Sequence, residues 1–319
     1  MRAPALIRGA GLALAACALL ACDTQYDPCF GSAQKIADFR VLAVRADPPE
    51  VVFDPADTEL PPVTISMLMV DPRTTQPVDI TASLCPQVDD KRCGAGALQN
   101  ATVTSAGPVV SFKVTPTPEL LRAAVLADPL HGYGGIRVQV DIVLNGSFQR
   151  TARATKTLLY TPRTPGYVPN HSFEILGLNL TSNGRPMGFV GPNDTLNVSV
   201  ADQVGILPLL APTSGTGDAA EEYDVTDLSG RPAHLKEHLS YSLYSTVHAH
   251  FLTDTAEQPP SDVAPPLAGV FQFQATLTAT GTLYIVARDG RGGVAWYLTE
   301  WNAVDTREGR VASLELSCE

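Results

Sequence analysis

The sequence predicts an all-β fold made of two tandem antiparallel β-sandwich domains. Short runs of β-branched and aromatic residues recur along its length, separated by turns that contain many of the 25 glycines and 26 prolines. Stretches with the 3.6-residue period of a helix are almost absent. The 319 residues, 45% of them hydrophobic, suffice for two domains of ~100–200 residues, each with a core of its own.

The first domain is predicted over residues 36–162. Its clearest strand is Ile136–Leu144, where charged and amide side chains alternate with apolar ones, as in a half-buried strand. Asn145-Gly146 follows and predicts a hairpin turn. The other predicted strands are Phe39–Ala46, Val63–Val70, Val109–Thr115 and Thr151–Tyr160.

One helix is expected in the first domain, directly after Thr117. The Thr117 hydroxyl can cap a helix, and Pro118 suits the first helical position, where no backbone donor is needed. The apolar residues that follow share one helical face; they are Leu120, Leu121, Ala124 and Val125.

A proline-rich linker is predicted over residues 163–171. The stretch Thr161–Pro169 contains three prolines, which cannot donate to a β-ladder. The second domain is then expected over residues 172–319. Its predicted strands are Phe173–Leu180, Thr195–Ala201, Leu239–Val247, Val270–Ala279, Thr282–Arg288 and Val294–Trp301.

The N-terminus has the features of a lipoprotein signal peptide, predicted over residues 1–21. Two arginines precede an apolar run of ~12 residues, which is too short to span a bilayer as a helix. The run ends in Leu19-Leu20-Ala21-Cys22, which resembles the bacterial lipobox, so Cys22 is the expected lipidation site and membrane anchor. A tether is expected over residues 22–35. The alternative is an ordinary secretory signal, with Cys22 in a disulfide.

Four cysteines remain for disulfides if residues 1–21 are removed and Cys22 is acylated. An even number is typical of an oxidising compartment. Cys85 and Cys93 flank a short polar loop and are the natural pair, which by elimination leaves Cys29 with Cys318. In the alternative, Cys29 or Cys318 is free or pairs with a partner protein.

The charge balance argues against a nucleic-acid partner. The chain has 22 Lys+Arg against 33 Asp+Glu, a net charge of −11, whereas a phosphate backbone needs a basic face. No cofactor is predicted.

One metal pattern occurs in the second domain, where His234-Leu-Lys-Glu-His238 matches the H-x-x-E-H sequence of a group of zinc hydrolases. That chemistry requires a helix that places both histidines on one face. A turn precedes the segment and a strand-like run follows it, so a polar loop entering a strand is expected and no metal site is predicted.

Two further features suggest ligand binding. An acidic run (Asp218, Glu221, Glu222, Asp224, Asp227) offers oxygen ligands for calcium, but its spacing is not that of an EF-hand loop, so a solvated loop is the favoured interpretation. Aromatic residues are concentrated in the second half, and Trp301 and Tyr297 are the candidate binding aromatics for a glycan or a partner protein. A sandwich core also buries a tryptophan, so a core role for Trp301 stays open.

Three stretches resemble a family of uncharacterised lipoproteins of myxobacterial type. They are Arg40–Val51 downstream of the lipobox, Val168–Gly177 in mid-chain, and Thr282–Trp296, in which Asp289–Gly293 is the expected turn between two closing strands. In the second stretch His171-Ser172 replaces the Asn-Pro step usual in the family. The resemblance implies Ig-like sandwiches behind a lipid anchor, and it brings no catalytic motif.

These observations favour a lipid-anchored envelope protein that acts as a non-enzymatic binding or structural module. The expected location is the bacterial cell envelope, at the inner or outer membrane and facing the periplasm or the surface. Expected partners are the membrane, through the N-terminal lipid, and envelope proteins or surface glycans. A carbohydrate- or calcium-dependent adhesion module is the alternative, and a zinc hydrolase that uses residues 234–238 is the third hypothesis.

Overall fold

The computed structural model describes residues 34–57, 59–88, 92–93, 99–105, 107–146, 150–211, 220–226, 231–253, 255–257 and 271–305. The predicted signal peptide and most of the tether lie outside these residues, as do Cys22, Cys29 and Cys318. No helix among the residues described is both long and apolar enough to cross a membrane.

Eight strands form the first sandwich. They are β1 (Arg40–Asp47), β2 (Glu50–Phe53), β3 (Val63–Val70), β4 (Val78–Pro86), β5 (Gln99–Ser105), β6 (Val109–Val114), β7 (Ile136–Asn145) and β8 (Thr151–Pro162). One sheet has the strand order β1-β3-β6 and the other β2-β8-β7-β4-β5. All neighbouring strands are antiparallel except β2 and β8, which run parallel.

The order of these strands is that of an Ig-like sandwich. Strands β1, β3 and β6 form one sheet and correspond to strands A, B and E of an Ig domain. Strands β4, β7 and β8 lie in the facing sheet and correspond to strands C, F and G. The chain leaves the first sheet at Asp47 and enters the second at Glu50, and the Asp47–Pro48 peptide bond between them is cis. The N-terminal segment of this sandwich therefore contributes one strand to each sheet, β1 to the first and β2 to the second.

The core of the first sandwich follows the sequence periodicity. Alternate residues of β7, from Val138 to Leu144, are fully buried, as the alternation in this segment predicts. The polar residues Gln139 and Asp141 on the opposite face are also buried, so β7 is not the half-buried strand that the sequence predicts. The predicted helix is also present, as α1 (Pro118–Ala127), with the Thr117 hydroxyl accepting a hydrogen bond from the Leu120 N–H at 3.2 Å. Helix α1 packs on this core through its buried residues, Leu120, Leu121 and Ala124.

Twelve strands form the second half of the chain. They are β9 (Ile175–Ser182), β10 (Arg185–Val190), β11 (Thr195–Ser199), β12 (Gln203–Leu210), β13 (Glu222–Thr226), β14 (Pro232–Lys236), β15 (Ser240–Ser245), β16 (His250–Thr253), β17 (Thr255–Glu257), β18 (Phe271–Gln274), β19 (Ala279–Arg288) and β20 (Val294–Val304). Two five-stranded sheets, β10-β9-β12-β18-β16 and β11-β20-β19-β15-β17, face each other, and β13 pairs with β14 in a separate hairpin. Strand β11 runs parallel to β20, as β2 does to β8. The prediction of an all-β fold with two Ig-like sandwiches is confirmed.

A third group of buried apolar residues lies between the two sandwiches. Leu42 and Leu68 come from the first sandwich, and Tyr284, Val286 and Val294 from the second. The predicted linker, residues 163–171, lies in the chain between the two cores. The two sandwiches therefore contact each other directly. A group of buried polar residues, described below, lies at the same contact.

Candidate functional site

The turn between β19 and β20 is organised by the side chain of Asp289. Its Oδ1 accepts hydrogen bonds from the backbone N–H groups of Arg291, Gly292 and Gly293, at 2.8–2.9 Å. Gly290 and Gly292 have φ values of +83° and +117°, which glycine adopts at low cost. The predicted hairpin at this turn is confirmed, and its geometry directs Arg291 away from its own strands.

Arg291 lies among three buried carboxylates. Its guanidinium is 3.2 Å from Glu50 Oε2, 3.3 Å from Glu237 Oε1 and 3.6 Å from Glu221 Oε2. The guanidinium also lies over the ring of Tyr223, 4.0 Å from its centroid. The three carboxylate side chains are at most 6% exposed, so these charges interact with little screening by water.

Glu50, on β2 of the first sandwich, is held from several directions. The Thr161 hydroxyl donates to its Oε1 at 2.5 Å, and the Tyr167 hydroxyl donates to the same oxygen. Its Oε2 accepts from the Asn170 backbone N–H at 2.9 Å and from Arg291. Glu50 thus connects the first sandwich, the linker and the closing turn of the second sandwich.

Asn170 and His171 add two further links between the linker and the second sandwich. The Asn170 side-chain amide donates to Asp289 Oδ2 at 3.1 Å, and His171 Nδ1 lies 3.1 Å from Glu221 Oε1. Asn170 is 1% exposed. We call the set of Glu50, Asn170, Glu221, Glu237, Asp289 and Arg291 the joint.

The joint contains more acidic than basic groups, and this affects Glu237. Burial raises the pKa of Glu237 to about 7, and the negative charges of Asp289 and Glu221 act in the same direction. The Glu221 N–H, which donates to Glu237 at 3.0 Å, and the Arg291 charge oppose this rise. Glu237 therefore exchanges a proton near neutral pH.

Lys156 on β8 makes a second polar contact with the closing turn. Its ammonium donates to the Gly292 carbonyl at 2.5 Å. Burial lowers the pKa of Lys156 to about 8; the charge of Arg288 also lowers it, and Asp289 raises it. The turn is thus tied to the first sandwich on two sides, through Glu50 and through Lys156.

The H-x-x-E-H pattern at residues 234–238 does not form the helix that zinc chemistry requires, and its first three residues lie in a strand rather than in the polar loop expected from the sequence. Residues 232–236 are strand β14, which pairs with β13. His234 is exposed and bonds to Asp224 at 2.9 Å and Glu222 at 3.3 Å, whereas Glu237 belongs to the joint. In the part of the chain that the structure describes, no group of three or more His, Cys, Asp or Glu side chains is arranged to hold a metal ion.

The two candidate binding aromatics are core residues, which corrects the sequence-based assignment. Trp301 is 0% exposed; its indole N–H donates to Ser245 Oγ at 3.2 Å, and its ring packs edge-on against Phe273. Tyr297 is 5% exposed and donates to the Val190 carbonyl. Both side chains point into the second sandwich, because residues 297 and 301 lie on its inward face.

The acidic run does not form one cluster in the described residues. Glu221 belongs to the joint, while Glu222 and Asp224 bond to His234 on the hairpin of β13 and β14. Asp218 and Asp227 lie outside the described residues.

The predicted disulfide between Cys85 and Cys93 is present, with an S–S distance of 2.08 Å. It connects the end of β4 to the loop that follows.

Sequence reasoning missed Glu50 and the role of Arg291. Glu50, then Asn170 and His171, then Asp289 and Arg291 come from three separate stretches of the sequence and meet only in the folded structure. No local sequence pattern relates these residues to one another.

Comparisons with known proteins find similarity of structure alone. No protein-family model and no curated protein matches the chain. A transglutaminase of red sea bream matches with 10% identity and a TM-score of 0.26, over 84% of this chain and 32% of the other, so the chain spans about a third of that enzyme. Fibronectin(III)-like modules of Clostridium thermocellum CbhA match with 9% identity and a TM-score of 0.23, over 84% and 98%. The Ig1-2 module of the Drosophila receptor tyrosine phosphatase DLAR matches with 9% identity and a TM-score of 0.24, over 84% and 99%. Scores this low carry no argument about function.

Proposed function

We propose that this protein is a lipid-anchored, non-enzymatic binding module of the bacterial cell envelope. In this proposal the two sandwiches form one scaffold of constant geometry, which presents exposed strands and loops to an envelope protein or a surface glycan. The observation that carries the proposal is the joint, in which Arg291 of the second sandwich bonds to Glu50 of the first.

Buried charges of this kind favour a scaffold of constant geometry. Replacing a buried ion pair by apolar residues is often neutral or stabilising, so such a pair contributes little net stability. It does penalise any arrangement that leaves a charge buried without a partner. Arg291 forms ion pairs with Glu50, Glu221 and Glu237 in the described arrangement, and a change of angle between the sandwiches would break at least the pair with Glu50.

Two of the four carboxylates in the joint, Asp289 and Glu50, are engaged by protein donors, which supports a structural role for them. A general acid, base or nucleophile must reach a substrate atom. Here the Asp289 carboxylate accepts four hydrogen bonds from protein groups, and Glu50 likewise accepts four. These oxygens are occupied by structural donors.

The membrane anchor in this proposal rests on the sequence of residues 1–22. One test is metabolic labelling with palmitate, followed by fractionation of the envelope. The wild-type chain should be labelled and should sediment with membranes, whereas Cys22→Ala should lose the label and remain an uncleaved precursor or be released. Cys17→Ala is the matched control and should behave like wild type. Normal labelling and fractionation of Cys22→Ala would refute the anchor.

Metal analysis of the purified chain tests the proposal against the zinc-hydrolase alternative. We expect zinc well below one equivalent in the wild type, with no change in His238→Ala. One equivalent of zinc that is lost in His238→Ala would favour the zinc hydrolase and contradict the proposal.

A further inference from the structure

Part of strand β8 has an open edge. Strand β8 pairs with β7 along its length, from Thr151 to Tyr160. On its other side β2 pairs with Leu159–Pro162. Strand β1 packs close to β8 on that side, but no described strand forms a hydrogen-bonded ladder with the preceding residues 151–157 there.

The register shows which backbone groups this edge presents. The Gly146 N–H donates to the Arg150 carbonyl at 2.8 Å, so Arg150 bonds toward β7. Hydrogen-bonded and non-hydrogen-bonded pairs alternate along an antiparallel ladder. Arg153 and Thr155, which lie opposite Val143 and Asp141, therefore direct their N–H and C=O groups away from β7. Both residues are exposed, and none of the described groups bonds to these backbone atoms.

A cleft of ≈ 520 Å³ runs beside this edge. One wall is Arg153–Lys156 of β8, and the opposite wall is Val41–Val44 of β1. The end of the cleft is formed by the closing turn of the second sandwich, including Gly292 and Val294. The cleft thus lies next to the joint, where both sandwiches contribute to its walls.

The charged side chains that line the cleft are all basic. They are Arg153, Lys156 and Arg288. Lys156 and Arg288 donate to neutral oxygens, those of Gly292, Ser242 and Leu42, and no ion pair joins any of the three to a carboxylate within the described residues. The carboxylate that acts on Lys156 is Asp289, whose own oxygens accept four hydrogen bonds. The charge of the cleft lining is therefore opposite in sign to the net charge of the chain, which is −11.

We propose that the cleft binds an extended, acidic segment of a partner protein, which adds to the open edge of β8 as a further strand. This inference deepens the proposed binding function by naming the class of partner. An exposed strand edge with unpaired N–H and C=O groups is a template for strand addition, in which backbone bonds give affinity and side chains give selectivity.

The size and chemistry of the cleft define the segment further. Residues 151–157 span ~20 Å at about 3.3 Å per residue, so an added strand has at most six or seven residues before it meets β2, and β1 limits this length further where it packs against β8. Alternate side chains of the added strand would face inward, toward Lys156 and Arg288, or outward, beside Arg153. Carboxylates on both faces would therefore find basic partners.

The probe for the test is a synthetic acetylated and amidated octapeptide of alternating Glu and Val, labelled with a fluorophore. Its binding to the purified full chain is followed by fluorescence anisotropy at low ionic strength. We expect saturable binding that weakens with added salt, and binding at least tenfold weaker for the corresponding peptide of alternating Lys and Val.

Two variants at one position separate strand addition from simple charge attraction. Thr155→Pro removes the outward N–H without removing a bond to β7, because proline is tolerated at an exposed strand edge. We expect it to weaken binding of the acidic peptide at least tenfold while the thermal unfolding midpoint changes little. The matched control, Thr155→Val, keeps the N–H and should bind like wild type.

Hydrogen exchange provides a readout that does not depend on affinity. The Thr155 amide should exchange fast in the free chain and at least tenfold more slowly with the acidic peptide bound. Absence of saturable binding to the wild type, equal binding by Thr155→Pro, or a Thr155 amide already protected in the free chain would each overturn the proposal. None of these results bears on Cys22 or on the orientation of the sandwiches, so a failure here is distinct from a failure of the proposed function.

Discussion

Arg291 and Glu50 are 241 residues apart in the chain, and their side chains form a buried ion pair of 3.2 Å. Arg291 comes from the closing turn of the second sandwich, and Glu50 from the strand with which the first sandwich begins its second sheet. The same guanidinium is near Glu221 and Glu237. One arginine thus compensates charges from both halves of the protein.

Replacement of Arg291 by methionine should strongly destabilise the protein. Methionine keeps much of the side-chain length but leaves Glu50, Glu221 and Glu237 buried without their cation, and breaking a buried pair costs about 3–5 kcal/mol. Chemical denaturation measures this loss. The matched control is Arg122→Met, since Arg122 pairs with Glu119 on the surface and should contribute less than about 1 kcal/mol. Equal losses of unfolding free energy for Arg291→Met and Arg122→Met would show that the buried ion pairs of the joint contribute no more to stability than a surface pair.

Replacement of Gly293 by alanine should also be strongly destabilising, for a steric reason. A Cβ atom at this position would lie 2.0 Å from Asp289 Oδ2. Asp289 has no free space to move into, because its oxygens hold the turn and the Asn170 amide. We expect a loss of about 2–4 kcal/mol, in the upper range for single substitutions. Gly107→Ala, where the added Cβ meets backbone atoms no closer than 3.6 Å, should change stability by less than about 1 kcal/mol. A near-neutral Gly293→Ala would contradict the described geometry of the turn.

The stability of the protein should depend on pH through Glu237. Its ordinary pKa of 4.5 applies to the unfolded chain, and burial raises the pKa to about 7 in the folded protein. Between these values the folded state holds a proton that the unfolded state has lost. The free energy of unfolding should therefore fall as pH rises from about 4.5 to about 7, by at most ~1.4 kcal/mol per pH unit for this single proton.

The variant Glu237→Gln assigns this slope to one residue. Glutamine is neutral at every pH, so the variant should lose the decline in stability between pH 4.5 and pH 7. Glu119→Gln, at an exposed position on α1, should keep it. Unfolding free energies measured by denaturant titration at several pH values provide the comparison, and an unchanged slope in Glu237→Gln would assign the proton to another group.

Loss of the Cys85–Cys93 disulfide should lower stability by about 2–3 kcal/mol. The bridge closes a loop with a sequence separation of 8, and loop closure of that length removes entropy of this size from the unfolded state. Cys85→Ser should then show a reactive thiol at Cys93. The double variant Cys85→Ser with Cys93→Ser should be equally destabilised and should lack that thiol. Native wild-type protein in which both thiols react would disprove the bridge.

Local signals in the sequence were sufficient for several elements. The cap and proline at the start of α1, the alternation in β7 and the glycines around Asp289 each act over a few residues, so they can be interpreted without the rest of the chain. Strand β12 is not among the strands predicted from the sequence, and it contains Pro208, which cannot donate to a β-ladder. Its pairing with β18 extends over Gln203–Ile206, so the proline lies where the strand pairs with β9 alone.

The assignment of Trp301 and Tyr297 to a binding face failed for a different reason. Strand β20 is apolar on both sides, because one face packs in the second sandwich and the other, which includes Val294, Trp296 and Leu298, contacts the group of residues between the sandwiches. The alternation of residues identifies the two faces of a strand. When both faces are buried, as in β20, the alternation cannot show which face lies in the core of the sandwich. The joint was beyond prediction for a similar reason, since no local pattern relates Glu50 to Arg291.

The central claim is that the joint holds the two sandwiches in one orientation. Double electron–electron resonance measures this directly, with one spin label at Leu126 on α1 and one at Leu277 in the second sandwich, both exposed. The labels are attached to ketone-bearing amino acids, because the chain contains six cysteines. We predict a single narrow distance distribution for the otherwise wild-type chain and for Arg122→Met, and a clearly broader one for Arg291→Met. A broad distribution in the wild-type background, or an equally narrow one in Arg291→Met, would contradict the account.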